Sequence, residues 1–337
     1  MKKLILFFLI VIAVVPLGLY FFNFGYGLSP KNSDWAAFGS YVGGVYGVMA
    51  FFAVAYSIYV TGVQFIKQNQ DQVFYKSVDN LMSGIVNGTE SSKFKAWRSH
   101  TVLRLVTDEI LQHLTNQSSH LARKILCSDP TIISDTNIFK IVNSLTERSL
   151  GHDVKVSTST FLNAISEQKD FNACWEWLKG ILGGVDAENE NIRTALQDAG
   201  CVSFYKVGFD DREYYYQMAW SEVEERHGEF INRYTKNIAF ILSHIHEAQG
   251  RDIYIRYLIS QLTKYDIVIL FYFASLSNDG EVVRKLIDFG VLGEIKRYEC
   301  RALMLDAPSE QEILIEIECI KQRVNNLINR TEDTSAT

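Results

Sequence analysis

Between positions 36 and 66 this chain carries no charged side chain, and an earlier run, 4–22, carries none either. A helix that is apolar on every side must be buried, either inside a large core or in lipid. The first run reads LILFFLIVIAVVPLGLYFF. At 1.5 Å per residue it reaches about 29 Å, close to the hydrocarbon thickness of about 30 Å. Pro16 is compatible with a helix in lipid, where neighbours re-satisfy the freed backbone groups. A cleaved signal peptide is the competing reading of Lys2, Lys3 and the run behind them. The run is long for that purpose, and no small-x-small cleavage site follows it. The second run, 35–66, is also long enough to cross, and spans are predicted at about 4–22 and 35–60. Gly25, Gly27 and Pro30 make a turn between them. Trp35, with Tyr20, Phe24 and Tyr26, suits a membrane interface. Lys2 and Lys3 before the first span and Lys67 after the second place both ends on the cytoplasmic side.

The second span contains Gly39, Gly43 and Gly47 at four-residue steps, with Ser40 and Gly44 on an adjoining stripe. Such a stripe lets another backbone approach closely, whether the first span or a second copy of the chain. No charge lies inside either span to mark an ion path, so nothing compels a pore.

Net charge bounds what the rest can do. The whole chain is −6, and the first 66 residues carry +2 from Lys2, Lys3, Lys31 and Asp34, which leaves −8 beyond them. An acidic body has no surplus of cations for phosphates, so the sequence carries no strong nucleic-acid signal. The five cysteines, Cys127, Cys174, Cys201, Cys300 and Cys319, are scattered with no CxxC pair, as buried thiols in a reducing compartment would be. Hydrophobic residues are 47% of the chain, which excludes a disordered reading.

Beyond Lys67 the helical rhythm persists. Ile66, Val73, Phe74, Val78, Leu81, Met82 and Ile85 recur at threes and fours, and no proline interrupts 35–85. Further helices are expected over 95–114, 134–149, 158–182, 188–198 and 219–249. Within 158–182, Phe171, Trp175, Leu178 and Leu182 would form a packed face, stopped by Gly183 and Gly184. The segment 201–208, CVSFYKVG, has the composition of a strand. Asp252 is placed to cap a helix over 253–276, whose interior run 267–274 is too short for a further span and reads as a central core helix. Ile313, Ile317, Ile320, Val324 and Leu327 form an a/d-like seam, for a short coiled coil or for docking onto the body.

The chemistry-bearing motifs are missing: there is no GxxxxGK[ST], GxGxxG at a strand–helix junction, GxSxG or HExxH. Glu222, Glu225, His227 and Glu229 crowd one region but read as a solvated acidic helix. His244 and His246, two apart, face different sides of a helix. Asp210 and Asp211 fit a capping turn. Asp266, at the head of the apolar run, and Arg256 each need a partner from another element if buried. Catalytic residues are therefore unassigned, no metal or cofactor is expected, and a non-enzymatic role leads the reading.

With Leu258-Ile259-Ser260-Gln261-Leu262, Asp266 and Leu270-Phe271-Tyr272, the stretch 254–295 resembles the AbiC-like phage abortive infection proteins. The family's leucine-x-serine-glutamine-leucine pattern, acidic residue and leucine–phenylalanine–tyrosine run are matched by Leu258-Ile259-Ser260-Gln261-Leu262, Asp266 and Leu270-Phe271-Tyr272. The likeness continues through Leu276-Ser277 and Gly280 to Leu286-Ile287-Asp288-Phe289-Gly290-Val291-Leu292. Near the N-terminus, Trp35-Ala36-Ala37-Phe38-Gly39 with Gly43, Gly44 and Gly47 is similar to the family's second span. Gln64, Gln68, Gln70 and Gln72 before Phe74 and Tyr75 are similar to its polar helix. The region 234–245 also looks like the family's aromatic helix before that motif. Ile259 and Phe273 stand where the family pattern has an arginine and an asparagine. The resemblance implies anti-phage defence by limiting growth of the infected cell at a bacterial inner membrane, with a phage-derived or host protein as trigger. It transfers no catalytic set.

These readings give a predominantly all-α chain. They divide it into a two-span transmembrane hairpin (1–66), a helical stalk or linker (67–90), a multi-helix cytoplasmic domain (91–330) and a flexible tail (331–337). Its expected partners are the lipid bilayer, a second copy of itself, and the trigger protein. A metal-dependent hydrolase or nuclease, and a scaffold that recruits a host or phage protein, are the alternatives.

Overall fold

A computed structural model describes residues 14, 15, 18–20, 22, 31–83, 85, 86, 97–146, 157–168, 170, 172, 173, 176 and 190–335. The chain divides into two compact units, Met1–Val73 and Phe74–Thr337. The described residues are overwhelmingly helical, with one antiparallel pair of two-residue strands, β1 (Ile85–Val86) and β2 (Trp97–Arg98).

Helix α1 runs Asn32–Ser83 without a break. No proline interrupts it, and Gly62 does not end it. Among the described residues this is the one helix long and apolar enough to cross a membrane, over Asn32–Met82, and none of its most apolar window is buried. Phe51, Phe52, Ile58, Tyr59 and Phe65 are all exposed. This corrects the two-span hairpin, and with it the multi-pass placement with both ends in the cytoplasm. Of the predicted span 4–22, only Val14, Val15, Gly18, Leu19, Tyr20 and Phe22 are described. Tyr20 packs against Trp35 and Phe38, with ring centroids 5.6 and 4.2 Å apart.

In the second unit, the end of α1 turns amphipathic. Phe74, Val78 and Leu81, at helical spacing, are buried. α2 (Ser99–Ser128) packs along α5 (Glu190–Ser203), with α3 (Asp135–Thr146) and α4 (Thr158–Gln168) beside them. At their crossing Gly200 meets the backbone of Ser118 so closely that a Cβ there would lie 1.9 Å from its carbonyl oxygen. Phe171, Trp175, Leu178, Leu182, Gly183 and Gly184 fall outside the described residues.

The segment 201–208 is not a strand. Cys201–Ser203 close α5, and Phe204–Lys206 form a 3-10 turn. Its β-prone composition is overridden because Phe204 is buried in a core that, among the described residues, helices supply. α6 follows as Phe209–Glu247, starting ten residues before the predicted helix because Gly208 is its extended N-cap and Asp210 and Asp211 occupy its first turn. Tyr215, Ala219, Val223, Ile231, Tyr234, Ile238, Ile241 and Ile245 mark its buried stripe.

The helix expected over 253–276 is two helices. α7 (Arg251–Gln261) ends at Leu262, and α8 (Lys264–Leu276) starts after Thr263, both junction residues being extended. Gly250, not Asp252, is the N-cap of α7, in the left-handed conformation that glycine adopts without strain. α8 is the core helix: every residue from Ile267 to Tyr272 is buried. α9 (Gly280–Asp288), a 3-10 turn (Leu292–Lys296), α10 (Tyr298–Arg301) and α11 (Glu310–Ser335) close the chain. Ile313, Ile317, Ile320 and Val324 of the a/d-like seam sink into the same core, which uses the seam for docking within the chain.

Candidate functional site

The family-like motif wraps the α7–α8 junction, where its residues divide by role. Thr263 accepts from the Asp266 backbone N–H, and the Asp266 carboxylate accepts from the Thr263 N–H at 2.8 Å. This reciprocal cap satisfies donors that a new helix leaves orphaned, and it is why the chain can break at 262–263 inside an apolar stretch. Asp266 is only 2% exposed. Its other oxygen accepts from the Tyr234 hydroxyl of α6 at 2.7 Å, the cross-element partner that a buried carboxylate requires. Burial, reinforced by Asp266, pushes the Tyr234 phenol well above its ordinary value, so it stays a donor.

Leu262, Leu270, Phe271 and Tyr272 are buried core. Ser260 is exposed and its hydroxyl donates to the Tyr257 carbonyl at 2.7 Å, while the Gln261 amide reaches the Ser260 hydroxyl at 3.3 Å. The motif thus holds a helix junction, and its polar members do not converge on a cleft. Arg256 is exposed, its guanidinium donating to the Asp252 carbonyl one turn back.

Glycines 39, 43, 44 and 47 lie on α1 with nothing among the described residues within 4 Å of an added Cβ. The acidic region of α6 disperses: Glu222 and Glu225 are exposed, and His227 lies 3.3 Å from Glu109 of α2, which Arg226 also approaches at 3.8 Å. His244 stacks on Phe74, with centroids 5.9 Å apart and planes inclined by 21°. Among the described residues no group of three or more His, Cys, Asp or Glu side chains could hold a metal ion. Cys127, Cys201, Cys300 and Cys319 are free thiols. Burial raises the last three above the ordinary thiol range, away from the low values a nucleophile needs.

The feature the sequence did not announce is an ion pair deep in the core. Arg212, 4% exposed on α6, pairs with Glu316, 0% exposed on α11. Arg212 also donates to the carbonyls of Val207 and Tyr205, which pins the 3-10 turn to α6. The rings of Tyr216 and Tyr272 pack edge-on at 5.4 Å beside this pair. Glu316 sits one position before Ile317 and leaves the a/d-like seam unbroken, so the spacing gave no signal of a buried charge. Open pockets lie among the described residues of the body. One, of about 360 Å³, lies between Phe209, Asp210 and Glu213 of α6 and Cys319, Arg323 and Leu327 of α11. Another, of about 380 Å³, includes His120, Arg123, Lys124 and Asp170. In the first, Arg323 is spent on Glu213 at 2.8 Å and on the Ser277 and Leu276 carbonyls.

Compared with protein-family models, curated proteins and solved structures, the chain matches none.

Proposed function

We propose that this protein is a membrane-tethered, non-enzymatic effector of anti-phage defence that limits the growth of infected cells. One observation carries the tether: α1 holds an apolar, membrane-length window of which none is buried, and an apolar surface of that extent is costly in water. The defence role rests on the AbiC-like motifs, Leu258 to Tyr272 above all. The non-enzymatic reading is supported by the dispersal of the acidic and histidine residues over separate faces. A phage-derived or host protein acting on the helical body is the trigger. The stripe of Gly39, Gly43, Gly44 and Gly47 offers a second copy of α1 a close approach in the bilayer.

Inducible expression with phage challenge tests the reading, following survival, membrane potential and nucleic-acid integrity in parallel. Protection that requires α1 and leaves nucleic acid intact is expected. Equal protection after α1 is made polar, or nucleic-acid degradation preceding growth arrest, would sink the proposal. Gly43→Leu is expected to reduce both self-association in detergent and protection; no change in either removes the stripe from the mechanism.

A further inference from the structure

Glu316, next to Ile317 of the a/d-like seam, is fully buried among apolar neighbours of the core. Its carboxylate has acceptor capacity for about four hydrogen bonds. Arg212 faces it from α6, but part of that guanidinium is committed to the Val207 and Tyr205 carbonyls. The Tyr216 hydroxyl also reaches the carboxylate, and the Tyr272 hydroxyl beside them is buried without a hydrogen-bond partner among the described residues. Buried polar groups are rarely left this way. A charge held in such surroundings carries a desolvation cost that one ion pair offsets poorly. A neutral carboxyl escapes that cost and can donate as well as accept, at the expense of its pairing with Arg212.

We infer that Glu316 is an internal proton-binding site that couples the docking of α11 against α6 to pH. The groups acting on it are few. From the 3-10 turn comes Tyr205, from α6 Arg212 and Tyr216, from α8 Tyr272, and on its own helix lies Cys319. Burial raises the three phenols and the Cys319 thiol, so near neutrality they hold their protons. Burial also pushes the Glu316 carboxyl up from 4.5 to about 7, against the opposing pull of Arg212 and a hydrogen bond from Tyr216. Docked, Glu316 therefore binds its proton more tightly than when α11 is released into water. Docking is favoured fully below 4.5, weakens as pH rises from 4.5 towards 7, and reaches its floor above 7. This holds whether or not the protein acts in phage defence.

Hydrogen exchange of α11 in the full-length chain in detergent micelles, corrected for intrinsic rates, reads the coupling directly. Between about pH 6 and about pH 8.5 the opening equilibrium of α11 in the wild type is expected to rise about tenfold, with Glu316→Gln flat over the same range. A flat wild type, or an equal rise in Glu316→Gln, overturns the inference. So does a Glu316→Gln chain that fails to fold at about pH 6, since that would make the ionised carboxylate obligatory. Infrared difference spectra of the wild type over the same range need no variant. Loss of one protonated-carboxyl band on raising the pH is expected, and its absence overturns the assignment.

Discussion

Two glycine-to-alanine substitutions in helices of the same body should change stability in opposite directions. Gly200, on α5, faces Ser118 of α2: an added Cβ would lie 1.9 Å from the Ser118 oxygen, 2.6 Å from its carbonyl carbon and 3.1 Å from its Cα. All three are backbone atoms, so no side-chain rotation relieves the clash. An ordinary carbon–oxygen approach is about 3.3 Å, so the helices must part by about 1.4 Å. That movement also strains the bond from the Ser118 hydroxyl to the Gln197 carbonyl, now 3.0 Å. Overpacking of this kind costs about 3 kcal/mol, against a helix-propensity gain of about 1 kcal/mol for alanine. The net loss of about 2 kcal/mol lowers Tm by about 4–8 °C in a body of this size. Gly228, on α6, is the control. Its Cβ would meet only the Glu224 Cγ at 3.4 Å, an ordinary contact with a flexible side chain. There propensity decides, and Gly228→Ala raises Tm by about 2 °C. Thermal unfolding of the full-length chain in detergent, followed by circular dichroism, measures both. A Gly200→Ala variant at least as stable as wild type refutes the steric argument, because propensity would then have decided both sites.

Tyr234→Phe leaves one oxygen of the buried Asp266 carboxylate without its 2.7 Å donor, and denaturant unfolding should show a loss of about 1–3 kcal/mol. Asp266→Ala removes the same bond and the cap of α8. The double variant should therefore lose less than the sum of the singles, whereas strict additivity would show the two groups to be uncoupled. Phe74→Ala should destabilise the body by about 3–5 kcal/mol, since Phe74 is fully buried and touches Tyr254 and Tyr257. Phe65→Ala, nine residues earlier on the same helix and 68% exposed, should leave body unfolding unchanged; equal effects would contradict the burial assigned to Phe74.

What the sequence determined by itself was largely what depends on periodicity and composition. The helical class, the burial of Phe74, Val78 and Leu81, and the core character of 267–274 follow from apolar spacing, which local geometry turns directly into a buried face. Asp266 was legible as a carboxylate needing a partner, though not that the partner is Tyr234, thirty-two residues away. The sequence misread 253–276 as one helix because a Thr-x-x-Asp cap is short and local, and the apolar run around it kept a helical rhythm. It misread 201–208 because composition favours a strand while the tertiary core holds a turn there. The two-span hairpin is corrected to one helix long and apolar enough to cross a membrane among the described residues, Asn32–Met82. Only the tertiary structure brought Arg212 to Glu316, and only it set Gly200 against the Ser118 backbone. Both contacts join residues far apart in the chain, and neither leaves a repeating pattern. They exist because helix packing fixes distances that no local preference encodes.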